Sequence, residues 1–401
     1  MTCKIVADKL DTLKLIAPLA RFPLLGRRKI TFDRGSKKAI KAYGVFFPIV
    51  KKELYFGKKE YDLRHYGRLT LNNTTVSNSG FDLTPDASSN YRICLVGNHG
   101  VETIVVIDCQ DNYDDALKIS EQIAEFLALP ITDFTCKKEI QIKIIDTLIK
   151  DLIKRKQPFF VNRTRAEDVV VAKMLKNSEL SEYDYDTMYN NCGVYPKYDI
   201  EVLKSYTKEV VDAYKNTDIG CYHPVNSLPL FLYFIDNSTT VGSFENCSYP
   251  YKTTDDSWLN SLEDKKVLVV SAIPDTLELA YKTQNLKFKK FQQVVFYGAV
   301  QSIAGNEVHD SWVCSLDKMK NDIRKIDFDT ALLSCGGYAT PLGSFIKNLG
   351  KQAIVCGGGL QCWFNVYGDR WKDEEEGKDS MQVLNHEIPK NYKSVEGGCY
   401  W

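Results

Sequence analysis

Toward the carboxyl end of the chain, apolar positions come in short unbroken runs, and stretches of helical period alternate with them. Val267-Leu-Val-Val-Ser271, Gln293 to Val300, Thr330-Ala-Leu-Leu-Ser334 and Ala353-Ile-Val-Cys356 are the runs. The intervening periods predict helices beginning at Asp275, from Trp312 to Ile326 through Trp312, Leu316, Met319 and Ile323, and from Pro341 to Leu349. A strand that is apolar at every position is covered on both faces, which predicts a mostly parallel sheet between helices. The same pattern begins further upstream. Ile140, Ile144, Ile145, Leu148, Leu152 and Ile153 predict a helix over Lys138 to Lys156, followed by a strand at Pro158 to Val161 and a helix from Thr164 to Leu175. Another helix is expected from Asp199 to Tyr214, packing through Ile200, Leu203, Val210 and Val211. Residues 136–401 therefore read as an α/β domain with a Rossmann-like, mostly parallel sheet.

Residues 1–135 read differently. Between Lys41 and Cys109, β-rich runs at Tyr43–Val50, Glu53–Phe56, Gly67–Leu71, Tyr91–Val96 and Glu102–Cys109 are broken by Gly, Asn, Asp and Pro, which predicts a small antiparallel sheet. Asp111 is suited to an N-cap, and Ala116, Leu117, Ile119, Ile123, Ala124, Phe126 and Leu127 form one face of a helix that stops before Pro130. In element order, this β-rich domain closed by a helix resembles a pleckstrin-homology-like module. Leu10, Leu13, Ile16, Leu19 and Phe22 recur near helical spacing ahead of Gly26-Arg-Arg-Lys29. That spacing suits either a helix packed on a core or an amphipathic helix lying on an anionic membrane surface.

Composition narrows the function classes. Of 401 residues, 44% are hydrophobic and 26% charged, and 52 Lys and Arg balance 52 Asp and Glu, so whole-chain charge gives no basis for a nucleic-acid partner. Charge is local instead. Residues 1–60 hold 15 Lys and Arg against 5 Asp and Glu, which leaves peripheral membrane contact through the basic N-terminal domain as an expectation. No apolar stretch approaches the roughly 20 residues that span a bilayer, and a cytoplasmic location is expected. The 12 cysteines are scattered singly, without CxxC or neighbouring His, and read as reduced thiols. The Asn-x-Ser/Thr matches at Asn72, Asn73, Asn162, Asn237 and Asn246 carry no weight in a cytoplasmic chain.

Ligands of open α/β sheets bind at the carboxyl ends of the strands. Two of those ends carry glycines: Gly336-Gly337-Tyr338 ahead of Pro341, and Gly357-Gly358-Gly359. Both suit a phosphate held on backbone N–H groups, although neither matches GxGxxG or a P-loop. A third end carries Val161-Asn-Arg-Thr-Arg-Ala-Glu-Asp168, where an arginine can clamp a diphosphate and Glu167 can hold a metal or a sugar hydroxyl. Weaker candidates are Asp184-Tyr-Asp186 in an acidic loop, the charge run Glu374–Glu376, and His223 or His309 as a base.

The order Phe160-Val-Asn-Arg-Thr-Arg-Ala-Glu167, Asn190-Asn-Cys-Gly-Val-Tyr-Pro196, Lys265-Lys-Val-Leu-Val-Val270, Phe328-Asp-Thr-Ala-Leu-Leu-Ser-Cys-Gly-Gly-Tyr338, Leu349-Gly-Lys-Gln-Ala-Ile354 and Gly357-Gly-Gly-Leu-Gln361 resembles the GT-D fold glycosyltransferase family. The likeness covers about residues 138–372. Members carry an Arg-x-Gly-Asp-x-Glu-like signature whose acids are associated with metal and nucleotide-sugar binding. Arg163 is set against its arginine and Glu167 against its final glutamate, whereas Thr164 stands for the glycine and Arg165 for the first acid, a spacing one residue shorter than the signature. The resemblance implies sugar transfer from a nucleotide-sugar donor, UDP- or GDP-linked, to a hydroxyl of a glycan, protein or lipid. Arg163 and Glu167 would act in catalysis. Asn162, Arg165, Gly336, Gly337, Tyr338, Gly357, Gly358, Gly359 and Gln361 would hold the donor. A Mn or Mg ion would rest on Glu167, and Arg165 in place of the acid leaves that metal open. The alternative is a catalytically degenerate module that docks on a membrane or a partner. The C-terminal Glu396-Gly-Gly-Cys-Tyr-Trp401 also resembles the family and is expected to pack back onto the domain.

Overall fold

A computed structural model describes residues 4–9, 12–19, 22–47, 52–62, 66–74, 90–97, 103–110, 113–129, 131–133, 138–163, 165, 167–222, 239–243, 245–250, 257–371 and 380–401. Asp111, Thr164, His223 and Glu374–Glu376 lie outside the described residues. The chain forms two compact units, Met1–Cys136 and Lys137–Trp401.

In the first unit, β1 (Lys4–Lys9), β2 (Thr12–Leu19), β3 (Phe22–Asp33), β4 (Lys38–Phe47) and β5 (Lys52–Asp62) form an antiparallel meander. A second sheet has the order β8-β7-β6-β9, from β6 (Tyr66–Thr74), β7 (Asn90–Gly97), β8 (Thr103–Gln110) and β9 (Ile131–Asp133). Helix α1 (Tyr113–Leu127) buries Ala116, Ile119, Ile123 and Ala124 against Leu69, Ile93 and Leu95 of this sheet and Ile30, Phe32 and Ala39 of the meander. Arg34, at the β3–β4 turn, donates through Nε to the Phe126 carbonyl at 2.9 Å, where the helix leaves its last carbonyls unpaired. The helical reading of Leu10 to Phe22 is corrected. Thr12–Leu19 is a strand paired on both sides, and Gly26–Lys29 lies inside β3, so no helix presents this basic stretch to a membrane. Among the described residues the unit holds nine strands in two sheets, where five were expected in one.

The second unit is a three-layer α/β domain. Seven strands, all parallel, take the order β12-β11-β10-β16-β15-β13-β14. They are β10 (Phe159–Arg163), β11 (Ile219–Tyr222), β12 (Thr240–Ser243), β13 (Lys266–Ser271), β14 (Gln293–Gly298), β15 (Thr330–Ser334) and β16 (Gln352–Val355). The chain runs from β10 outward to one edge, and β13 to β16 fill the other half, so strand order reverses between β10 and β16. Helices α5 (Ile200–Lys215), α8 (Trp312–Ile323) and α9 (Ala339–Asn348) pack together on one face, with α3 (Asp168–Leu175) beside α5. Helices α2 (Lys138–Arg155), α6 (Glu245–Ser248), α7 (Pro274–Thr283) and α10 (Leu360–Trp363) contribute with Trp258 and Leu259 to the core on the other. Two expected core positions point outward: Ile144 is 59% and Ile200 40% exposed, and Ile149, Val202 and Tyr206 fill the buried faces instead. No described helix is long and apolar enough to cross a membrane.

Candidate functional site

Register brings the site together. Val161 of β10 pairs with Ile354 of β16, and two residues further on Arg163 and Cys356 reach the carboxyl edge side by side. The next residue, Gly357, has φ +63°, a conformation open to glycine at little cost, and a Cβ there would overlap Nη1 of Arg163. The guanidinium therefore lies directly on the glycine turn at the point where strand order reverses. Arg163 is half-buried, and its Nε is a buried donor without a hydrogen-bond partner. Among the described residues, no carboxylate pairs with it. A Cβ on Gly358 would lie 2.5 Å from Cε1 of Tyr400, and one on Gly359 would overlap the Ser248 carbonyl. One of these three glycine positions thus receives Arg163 and another the C-terminal segment. Gln361 is buried, and its Nε2 donates to the Tyr400 carbonyl at 3.0 Å.

The other residues of the signature turn inward. Asn162 is fully buried; it accepts from the Arg163 N–H at 2.9 Å and the Thr340 hydroxyl at 3.1 Å, tying β10 to α9. Arg165 donates to the Gly336 carbonyl at 3.2 Å and to the Tyr206 hydroxyl. Its own N–H is accepted at 3.1 Å by Oδ2 of buried Asp168, which also accepts from the Tyr214 hydroxyl. Glu167 is half-buried at the entry to α3, close enough to act electrostatically on Arg165, Asp168, Cys192 and Tyr206. Burial pushes the Asp168 carboxyl up to about 6, against the opposing pull of Arg165, and it also pushes the Cys192 thiol and the Tyr206 and Tyr214 phenols up.

Gly336-Gly337-Tyr338 is not the open cradle that its glycines suggest. The Gly337 N–H is spent on the Cys192 carbonyl at 3.1 Å, and a Cβ there would meet that oxygen at 2.5 Å. Tyr338 is buried, stacked on Trp312 at a centroid distance of 5.4 Å, with its hydroxyl 2.7 Å from Ser302 Oγ. Pro341 does not open the helix: α9 starts at Ala339, directly after a 3-10 turn over Gly336–Tyr338. What these residues supply is close packing and one carbonyl, for Arg165.

The lesser candidates resolve into structure. Asp184 and Asp186 lie on a short helix, α4 (Glu182–Asp186), not a loop. Asp184 completes a capping box with Ser181 and binds Lys173 at 2.7 Å, and Asp186 binds Lys197 at 2.7 Å. His309 Nδ1 lies 2.8 Å from Ser315 Oγ, which is 2.6 Å from the Tyr195 hydroxyl. Asp275, His386 and Glu387 place ligand-type atoms within 4.8 Å of one another, but both Glu387 oxygens already accept the Asp275 and Thr276 N–H groups at 2.8 Å. That carboxylate caps α7 from 111 residues away. Cys192, Cys221, Cys247, Cys314, Cys335, Cys356, Cys362 and Cys399 are free thiols.

Tyr206 and Tyr214 are not among the candidates read from the sequence, and Asp168 closes the candidate stretch there without a role of its own. Their signal was present: two tyrosines eight residues apart on the apolar face of α5 need polar partners when buried. No protein-family model, curated protein or solved structure matches this chain.

Proposed function

We propose that the crevice between β10 and β16 binds a phosphate-bearing small molecule and that the chain is a glycosyltransferase using a nucleotide-sugar donor. The observation carrying this reading is Arg163, a guanidinium without a carboxylate partner among the described residues, seated on the left-handed turn at Gly357. A buried donor left unpaired is costly, and an arginine fork matches phosphate oxygens in geometry and charge. The location is the one that open α/β sheets use for ligands. The donor class follows from the resemblance to GT-D enzymes over residues 138–372.

In this reading Arg163 holds the diphosphate and neutralises the charge that develops on it as the sugar–phosphate bond breaks. Glu167 orients a sugar hydroxyl or receives the acceptor proton. Arg165 is a positioning residue, fixing the turn before α3 through Gly336 and Tyr206. The donor set suits a divalent ion poorly: Asp168 Oδ2 is committed to Tyr214 and a backbone N–H, and a guanidinium stands where a second acid would be needed, which leaves Glu167 and the buried, unpartnered Oδ1 of Asp168 as the acidic ligands. In this reading the charge on the departing diphosphate is met by Arg163.

Incubation with a panel of UDP- and GDP-sugars tests this function through release of free nucleoside diphosphate. Release that disappears in Arg163→Gln supports it; no release with any donor, either alone or with added glycan, peptide and lipid acceptors, counts against transfer from UDP- or GDP-sugars. Arg165 in place of the signature acid favours one other reading, a module that binds the same donor without cleaving it. Ligand binding without turnover would identify that case.

A further inference from the structure

We infer that Arg370 is a second phosphate-binding group of this crevice, kept occupied by Glu396, so that the C-terminal segment Glu396–Trp401 latches the site. The inference rests on the phosphate-binding reading above and adds a residue and a regulation to it.

A continuous series of contacts connects the two arginines. Arg163 lies on Gly357 and the Tyr400 ring on the adjacent Gly358. Nη1 of Arg370 donates to the Tyr400 hydroxyl at 2.9 Å, with the guanidinium carbon 4.5 Å from the ring centroid. Both guanidiniums also act electrostatically on the phenols of Tyr249 and Tyr400. Two cations sharing aromatic neighbours at a glycine-lined strand tip suit a ligand with two linked anionic groups, such as a diphosphate.

Arg163 and Arg370 differ in one respect. Arg370 has an internal anion, the Glu396 carboxylate. The segment carrying Glu396 is anchored independently of that pair: the Arg370 N–H donates to the Cys399 carbonyl at 2.9 Å, Gln361 holds the Tyr400 carbonyl, and Gly368 packs against the Tyr400 backbone. The ion pair itself is exposed at 39% and 36% of its side chains, so its carboxylate is exchangeable. Glu396 also adopts φ +47°, followed by Gly397 at +72° and Gly398 at +86°. A non-glycine residue in this left-handed run is strained, and the carboxylate it delivers to Arg370 is the evident return. A phosphate arriving on Arg163 would compete with that carboxylate for Arg370.

The test is calorimetric titration of the full chain with inorganic pyrophosphate and with UDP, after thermal unfolding has shown each variant to be folded. Glu396→Gln should tighten pyrophosphate binding about 2- to 5-fold, the range of an exposed ion pair removed from competition. Arg370→Gln should weaken it about tenfold, and the double variant should bind like Arg370→Gln alone. Binding detected only in Glu396→Gln would also support the latch. Unchanged affinity in Glu396→Gln and Arg370→Gln, with loss in Arg163→Gln, would overturn the latch while leaving the crevice in place. Equal binding by Arg163→Gln, or no binding by any variant, would overturn both.

Discussion

The guanidinium of Arg163 fills the space that a side chain at residue 357 would take. Gly357→Ala therefore has two consequences. A left-handed alanine costs roughly 1–2 kcal/mol, and the methyl group displaces Arg163 from the strand tip. The expected result is a modest fall in melting temperature together with loss of nucleotide binding. If the variant retains full affinity for UDP, Arg163 is not held in place by that glycine.

A second close approach ties α9 to the sheet. A Cβ at Gly343 would come within 2.8 Å of Cδ2 and Cζ of Phe160, a fully buried residue of β10. Alanine improves helix propensity by about 1 kcal/mol, but overpacking a core costs about 1–3 kcal/mol, and an aromatic ring pinned in the sheet has little room to move. Gly343→Ala should therefore be destabilising despite its helix preference. Denaturant unfolding checks the sign, and recovery on adding Phe160→Leu would assign the cause to the clash.

Glu387 caps a helix distant in sequence. Ile273, at the N-cap position of α7, supplies no side-chain hydrogen bond, and the Asp275 and Thr276 N–H groups turn to Glu387. Glu387→Ala should cost about 1–2 kcal/mol, and Glu387→Gln less. Because both oxygens are engaged, Zn or Mn should leave the melting temperature unchanged. A metal-dependent rise lost in Glu387→Ala would show that the Asp275–His386–Glu387 group binds an ion after all.

Burial holds the Asp168 carboxyl near 6, above the ordinary value of about 3.9. Between these values the folded protein retains a proton that the unfolded chain has released. Its contribution to stability is full below about pH 4 and is lost as pH rises through 6, amounting to on the order of 2–3 kcal/mol. Asp168→Asn cannot titrate. The stability of the wild type relative to this variant should fall from pH 4 to 6 and level off above. A difference that is flat, or that rises with pH, would contradict this environment for Asp168.

Much of the second unit was legible because its signals are local. The apolar runs at Val267, Thr330 and Ala353 are strands covered on both faces, and the rule that ligands gather at strand tips pointed to Arg163 and Gly357, which the structure brings against each other. Other features depend on tertiary packing. Gly336-Gly337 looks the same in sequence as Gly357-Gly358, yet its amide is used by Cys192, which lies more than 140 residues earlier. Asp184-Tyr-Asp186 reads in sequence as an acidic loop and a weak candidate, but Lys173 and Lys197, which pair with the two carboxylates, come close only in space. In the first unit, reading every third residue from Leu10 to Phe22 obscured the alternation Leu13, Leu15, Ala17, Leu19, which is the period of the strand observed there. Neither period is decisive over so short a stretch, and pairing with β1 and β3 settles it.

The central claim is that Arg163 is the anion-binding group of the β10–β16 crevice. Its most direct measurement is thermal unfolding of the wild type and Arg163→Gln with and without saturating UDP, because a ligand bound only to the native state raises its stability, by about 2.7 kcal/mol at a hundredfold excess over Kd. The expected result is a clear rise for the wild type and none for the variant. Equal rises in both proteins, or no rise in the wild type, would contradict the claim.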